Sequence, residues 1–132
     1  MLTYNVPMSS VNITFYNYRR TISSIDMSTC ILSATQDCVE RIPDWDRPLG
    51  PNGKVYGFGS VQLLRYPYED MTWGGWSNGV RGLSWFLAVY EAVDLSFRIM
   101  VGEQGTVGIG QFTSMDTNAT LPSNATLLTS LK

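Results

Sequence analysis

The chain contains no histidine, which leaves carboxylates as its acids and bases. Without imidazole there is no Ser-His-Asp or Cys-His nucleophilic pair, no histidine metal set and no imidazole proton shuttle. Two cysteines, Cys30 and Cys38, cannot build a four-thiolate zinc site. No P-loop occurs, nor a strand–GxGxxG–helix fingerprint. The GxG steps at Gly57–Gly59 and Gly108–Gly110 fall inside apparent strands, where glycine marks close approach of another element rather than a phosphate cradle. No cofactor and no metal are expected.

The carboxylates form three local sets. Asp37 and Glu40 lie a turn apart and read as a solvated face with Arg41. Asp44 and Asp46 point the same way around Trp45 on an extended segment, where they could hold a cation or a sugar. Glu91 and Asp94 straddle a helix–strand junction and read as surface charges. None pairs a buried carboxyl with a recognisable partner, so an enzyme has no positive support. The enzymatic alternative is a small hydrolase or lyase with two carboxylates in a cleft between the 43–54 loop and the sheet, one of them with a raised pKa. Trp45 reads either as a lid on the core or as an exposed aromatic flanked by acceptors, as in sugar-binding surfaces.

The element that positions most of the aromatics is Thr72–Ala92, TWGGWSNGVRGLSWFLAVYEA. At about 100° per residue, Trp73, Trp76, Val80, Leu83, Leu87 and Tyr90 share one arc, with Phe86 at its edge. Thr72 is a fitting N-cap. Gly74, Gly75, Gly79 and Gly82 weaken a helix by roughly 1 kcal/mol each relative to alanine, so a helix that carries them packs closely on something. Trp85 and Val89 point the other way, under a second layer or at a partner.

Around that helix, residues 1–10 read as an irregular lead-in and Val11–Tyr18 as an alternating strand. A first helix runs from an N-cap at Ser23 or Ser24 to about Arg41. Met27, Ile31, Ala34, Cys38 and Ile42 form its core stripe, and Pro43 stops it. Pro43–Lys54 is a loop ordered by its neighbours. Val55–Tyr66 reads as one long strand. Val93–Val101 alternates cleanly, with Val93, Leu95, Phe97, Ile99 and Val101 inward and Asp94, Ser96 and Arg98 outward. Gly102–Gly105 turns a hairpin into Thr106–Phe112. The expected fold is a two-layer α+β sandwich, β-α-β-α-β-β, with a mostly antiparallel sheet and both helices on one face. Residues 1–112 form a single domain, and 113–132 a polar, Ser/Thr-rich flexible tail.

Composition narrows the partners. Apolar residues make up 44% and charged residues 15% of the 132 positions, which argues against a disordered chain. The formal charge is −2 and no basic run occurs, so nucleic acid is not an expected partner. No apolar run reaches the length of a membrane span. Residues 1–20 lack a basic start and an apolar block, so the chain is either not secreted by a signal peptide or is a trimmed form. Asn12, Asn118 and Asn124 head glycosylation sequons. Cys30 and Cys38, eight residues apart on one helix, are separated by about 12 Å along its axis and read as free thiols.

The run SIDMSTCILSATQDC (24–38), Tyr56–Leu64, MTWGGWSNGVRGLSWF and the strand pair ending VGIGQF together resemble a group of short, uncharacterised ascomycete fungal proteins. The likeness spans most of residues 11–112. It rests on Cys30, Ala34, Asp37, Thr72, Trp73, Arg81, Gly82, Leu83, Phe86, Gly108 and Gly110. It implies an architecture and, because such proteins are often secreted, an extracellular or cell-surface location. It carries over no catalytic residue.

The functional expectation is a non-enzymatic binding protein whose ligand is a glycan or a protein. The expected surface is Trp45, Trp85, Val89 and Tyr66, with Tyr16 and Tyr18. Self-association through Trp85 and Val89, or through an unpaired sheet edge, belongs to that expectation. A structural piece of a larger chain is a further alternative.

Overall fold

Alternating apolar residues and two helical stripes build one sheet with one helical layer. In the computed structural model, which describes residues 1–114, the elements are β1 (Leu2–Asn5), β2 (Val11–Tyr16), α1 (Ser24–Val39), β3 (Lys54–Phe58), β4 (Val61–Pro67), α2 (Trp73–Val89), β5 (Leu95–Val101) and β6 (Thr106–Ser114). The strand order is β1-β2-β5-β6-β4-β3, and every pairing is antiparallel. Both helices cover the same face. α1 lies over β3 and β4, and α2 over β2 and β5. The expected α+β sandwich, with two helices on one face of an antiparallel sheet, is what forms. The expected tail, 113–132, lies outside the described residues from 115 onward.

Two strands differ from the sequence reading. Residues 2–5 are not a lead-in: they add β1 to the edge of β2, with Leu2 opposite Phe15 and Tyr4 opposite Ile13. The single strand expected over 55–66 is a hairpin, β3–β4, turned at Gly59 and Ser60. Gly59 sits at φ +59°, where L side chains rarely go. The Asp26 carboxylate of α1 fixes this turn, accepting the Ser60 N–H at 2.9 Å and its hydroxyl at 2.8 Å. Those bonds hold the Asp26 pKa below its ordinary value.

Helix α2 takes its N-cap from Thr72, whose hydroxyl accepts the Gly75 N–H at 3.1 Å. Trp73, Trp76, Val80, Leu83 and Phe86 are buried beneath it. The stripe is rotated from the expected one. Phe86 is in the core, Leu87 packs at its edge, and Tyr90, past the end of the helix, is exposed. The glycines explain how closely α2 sits on the sheet. A Cβ at Gly79 would stand 2.6 Å from Ile99 of β5, and one at Gly82 2.7 Å from Ile13 of β2.

Helix α1 starts at Ser23, whose hydroxyl accepts the Asp26 N–H at 3.2 Å. It ends at Val39, so Ile42 falls in a following 3₁₀ turn and is exposed rather than on the core stripe. At the start of β5, Asp94 is not a surface charge. It is 7% exposed, and its carboxylate accepts the Arg20 N–H. Asp94 exchanges further backbone bonds with Arg19 and Arg20, which tie the β2–α1 connection to β5.

Candidate functional site

The outer face of the helical layer is the surface with the least ordinary chemistry. Solvent-facing helix positions usually carry charge. Helices α1 and α2 hold three charged residues, Asp26, Asp37 and Arg81. The two aspartates turn to the β3–β4 hairpin. Arg81 is therefore the one charge that either helix shows on the outer face. Ile25, Leu32 and Val39, spaced by seven, form an exposed apolar ridge along α1, and Ile42, Trp45 and Val89 are exposed beside it.

Between the ridge and α2 runs a groove of about 600 Å³, bounded by Val39, Ile42, Trp45 and Trp85, with Arg81 and Ala88 along α2. It continues past Ser84 into a shallower depression of about 250 Å³ at Ser28 and Leu87. Small α2 side chains, Ser77, Ser84 and Ala88, recess the groove. From Ser77 to Ala88 the helix rises about 16 Å, the length of three turns. Arg81 and the buried Cys38 are the titratable groups among the lining residues. Burial pushes the Cys38 thiol up to about 11. The rest of the lining is apolar, aromatic or hydroxyl-bearing, and it contains no carboxylate.

Trp45 reaches the groove because α2 fixes its loop. The Trp45 carbonyl accepts the Gly74 N–H at 2.9 Å, and the Arg47 carbonyl accepts the Trp73 N–H at 3.0 Å. First-turn donors of a helix have no intrahelical partner, so the loop satisfies them. The indole lies across Gly74, where any β-carbon would collide with it. Trp45 is thus both a lid over α2 and, at 40% exposure, a wall of the groove. Asp44 makes a surface ion pair with Arg47, Nε to Oδ1 at 3.5 Å.

Trp85 forms the opposite wall, half-buried. It stacks on Tyr4 of β1, with ring centroids 3.8 Å apart and planes 6° apart, and meets Tyr90 edge-on at 5.8 Å. The unforeseen strand β1 supplies the layer that covers it. Trp85→Ala is expected to destabilise the protein by about 2 kcal/mol, less than a fully buried tryptophan because part of the ring is solvated. Hydrogen exchange of the β1 amides should accelerate with it. Unchanged β1 protection would mean that the Tyr4–Trp85 stack does not hold the edge strand.

Of the expected surface, Trp45 and Trp85 meet at the groove. Val89 is exposed at the end of α2, outside the lining. Tyr66 is not brought to them. Arg65, its neighbour on β4, points beneath the helices, so Tyr66 faces the opposite side of the sheet. Asn12 lies on that opposite side too, in register with Asn5 and Met100 and partly exposed. Asn118 and Asn124 lie outside the described residues.

A buried polar cluster, which the sequence reading missed, props the groove from below. Arg65 is 5% exposed, with its guanidinium over the rings of Trp73 and Trp76 at 5.4 and 5.5 Å. Its Nε donates to the Tyr56 hydroxyl at 3.1 Å, and that hydroxyl donates to Asp37 at 2.7 Å. Lys54 reaches the same carboxylate oxygen at 2.8 Å. Asp37 is therefore an internal partner and not part of a solvated face with Glu40. Burial opposes its charge, but Lys54, Tyr56 and Arg65 outweigh burial and hold its pKa below the ordinary value. Burial and the bond to Asp37 push the Tyr56 phenol far above its ordinary range.

The signal for this cluster was Arg65 in an otherwise apolar strand, VQLLRYP. A cation at an inward-facing strand position requires an anion close by. The carboxyls of Asp26 and Asp37 both lie below their ordinary range. Neither has the raised pKa that the hydrolase reading requires. Among the described residues no group of three or more His, Cys, Asp or Glu is placed to hold a metal ion. Cys30 and Cys38 are free and buried. None of the described helices is long and apolar enough to cross a membrane.

No family model, no curated protein and no solved structure matches this chain.

Proposed function

We propose that this protein works by binding another protein through the outer face of its helical layer. One observation carries the reading: an open groove about three turns long, walled by Trp45 and Trp85, on a helical face whose only helix-borne charge is Arg81. An amphipathic helix fits such a groove, its small apolar face over Ser84 and Ala88 and an acidic side chain towards Arg81. A glycan is the poorer fit. Sugar sites pair an aromatic face with several fixed polar groups, whereas the groove wall here is mostly apolar.

The test is to offer the protein to a displayed library of 16-residue peptides and to a glycan array. Enriched peptides are expected to show apolar residues at i, i+3, i+4 and i+7 and an acidic residue, and Ser84→Arg should abolish their capture. Glycan capture that depends on Trp45, with no peptide capture, would contradict the reading.

A further inference from the structure

We infer that the partner which covers the helical face is a second copy of this chain. This rests on the reading that the face is a protein interface, and it names the occupant. The dimer has the two helical layers face to face and the two sheets outside.

Shape points to a second copy. The ridge Ile25, Leu32, Val39 and the groove beside α2 run side by side on the same face. A two-fold axis lying between them, along the helices, sets each ridge into the groove of the other copy. That is the self-complementary patch that an isologous interface requires. Exposure fits as well: Ile25 is 74% exposed, and Leu32, Val39 and Ile42 are 56 to 58% exposed. These side chains project from the face, and among the described residues none covers them.

Charge agrees with shape. Glu40 at the end of α1 and Arg81 on α2 are both exposed. Neither has an ionic partner among the described residues; Arg81 bonds Asn78 Oδ1 at 3.0 Å and the Pro7 carbonyl. With a single cation, Arg81, along the groove and Glu40 at the end of α1, the helical layer shows no strong excess of one sign, so two copies can meet without a large repulsion. A face built for a strongly charged foreign partner would show an excess of one sign.

Size is sufficient. Helices of 16 and 17 residues are about 24 Å long, and two side by side are about 20 Å across. The projected face is on the order of 500 Å², and its ridge and groove raise the accessible area towards the roughly 800 Å² per partner of a standard interface. The sheet edges, β1 and β3, are the competing contact. Tyr4 of β1 is engaged by Trp85, and β3 presents an exposed Lys54, a residue type that discourages edge pairing.

Sedimentation velocity across a concentration series tests the inference, using the full chain and two variants. Wild type is expected to pass from monomer to dimer. Leu32→Glu should weaken the dimer about a thousandfold, because the two-fold presents each substitution twice. Its circular dichroism and thermal midpoint should stay unchanged, since Leu32 is exposed. Val55→Lys, on the β3 edge, should leave the dimer intact. Wild type that stays monomeric at every concentration overturns the inference, as does a dimer lost in Val55→Lys and kept in Leu32→Glu. A monomer whose peptide capture is still abolished by Leu32→Glu removes the second copy alone and leaves the helical face as the binding surface. Peptide capture and a dimer that are both indifferent to Leu32→Glu remove both.

Discussion

Asp37→Ala is expected to destabilise the protein by about 3 kcal/mol or more, the largest effect among its charged residues. The reason is what it leaves behind. Arg65 stays buried beneath Trp73 and Trp76, and Tyr56 loses the acceptor of its hydroxyl proton. An uncompensated buried cation costs more than the ion pair contributes when intact. Removing both partners is therefore the informative control. Arg65→Met with Asp37→Leu should recover much of the loss, because apolar side chains of similar volume suit that site. Urea unfolding of the two single variants and the double variant measures the coupling. A near-additive cycle would show that the cluster does not act as a unit.

The same carboxylate gives a pH signature with a definite sign. Its folded pKa lies below the ordinary 3.8. Its contribution is fully present above that value and is lost as the pH falls through the depressed folded pKa. Asp26 is depressed in the same sense by Ser60, so Asp37→Asn removes only part of the acid dependence. The variant should show a shallower loss of stability below about pH 4 than wild type.

Gly110→Val is the second large effect, about 3 kcal/mol or more. Gly110 sits on β6 opposite Phe97 of β5. A Cβ there would collide with the Phe97 ring and stand 2.6 Å from the Leu64 carbonyl oxygen of β4. The ring could turn, but the neighbouring strand's backbone cannot retreat without breaking the ladder between β4 and β6. Gly57→Val is the matched comparison. It lies in the other GxG step, on the edge strand β3, and a Cβ there meets nothing within 4 Å. That substitution should change stability by less than about 0.5 kcal/mol. Equal losses at the two positions, read from denaturant midpoints, would contradict the packing described for β6.

These two glycines show how much of the fold was legible in the sequence. Both GxG steps invited one explanation, close approach, and it applies to Gly108 and Gly110 but not to Gly57. Gly59 is a turn residue. The Gly-Ser pair at 59–60 was the sign that the 55–66 run folds into two strands, but continuous apolar character on both sides masked it. The alternation in 95–101 and the stripe on α2 were readable because each is long and follows one period. Strand β1 was not readable. Four residues carry too little pattern, and their place depends on Tyr4 finding Trp85 across the sheet.

The site divides in the same way. Trp45 and Trp85 could be picked from the sequence as large aromatics outside the core stripe. That they wall one groove depends on loop carbonyls docking on the α2 N-terminus, a tertiary fact. The exposed ridge on α1, Ile25, Leu32 and Val39, repeats only every seven residues, so the denser buried stripe of the same helix masked it. Asp37 and Asp94 looked solvated because local spacing reports neighbours on the same element. Their partners lie elsewhere, on β3 and β4 for Asp37 and at Arg20 for Asp94.

The most direct test of the helical-face account is a methyl NMR spectrum recorded as the protein is concentrated and as a selected peptide is added. The account predicts shifts and line broadening at the methyls of Ile25, Leu32, Val39 and Ala88. Met100, on the far side of the sheet, should not respond. Perturbation centred on Met100 and the outer strand face, with Leu32 and Ala88 silent, would contradict it.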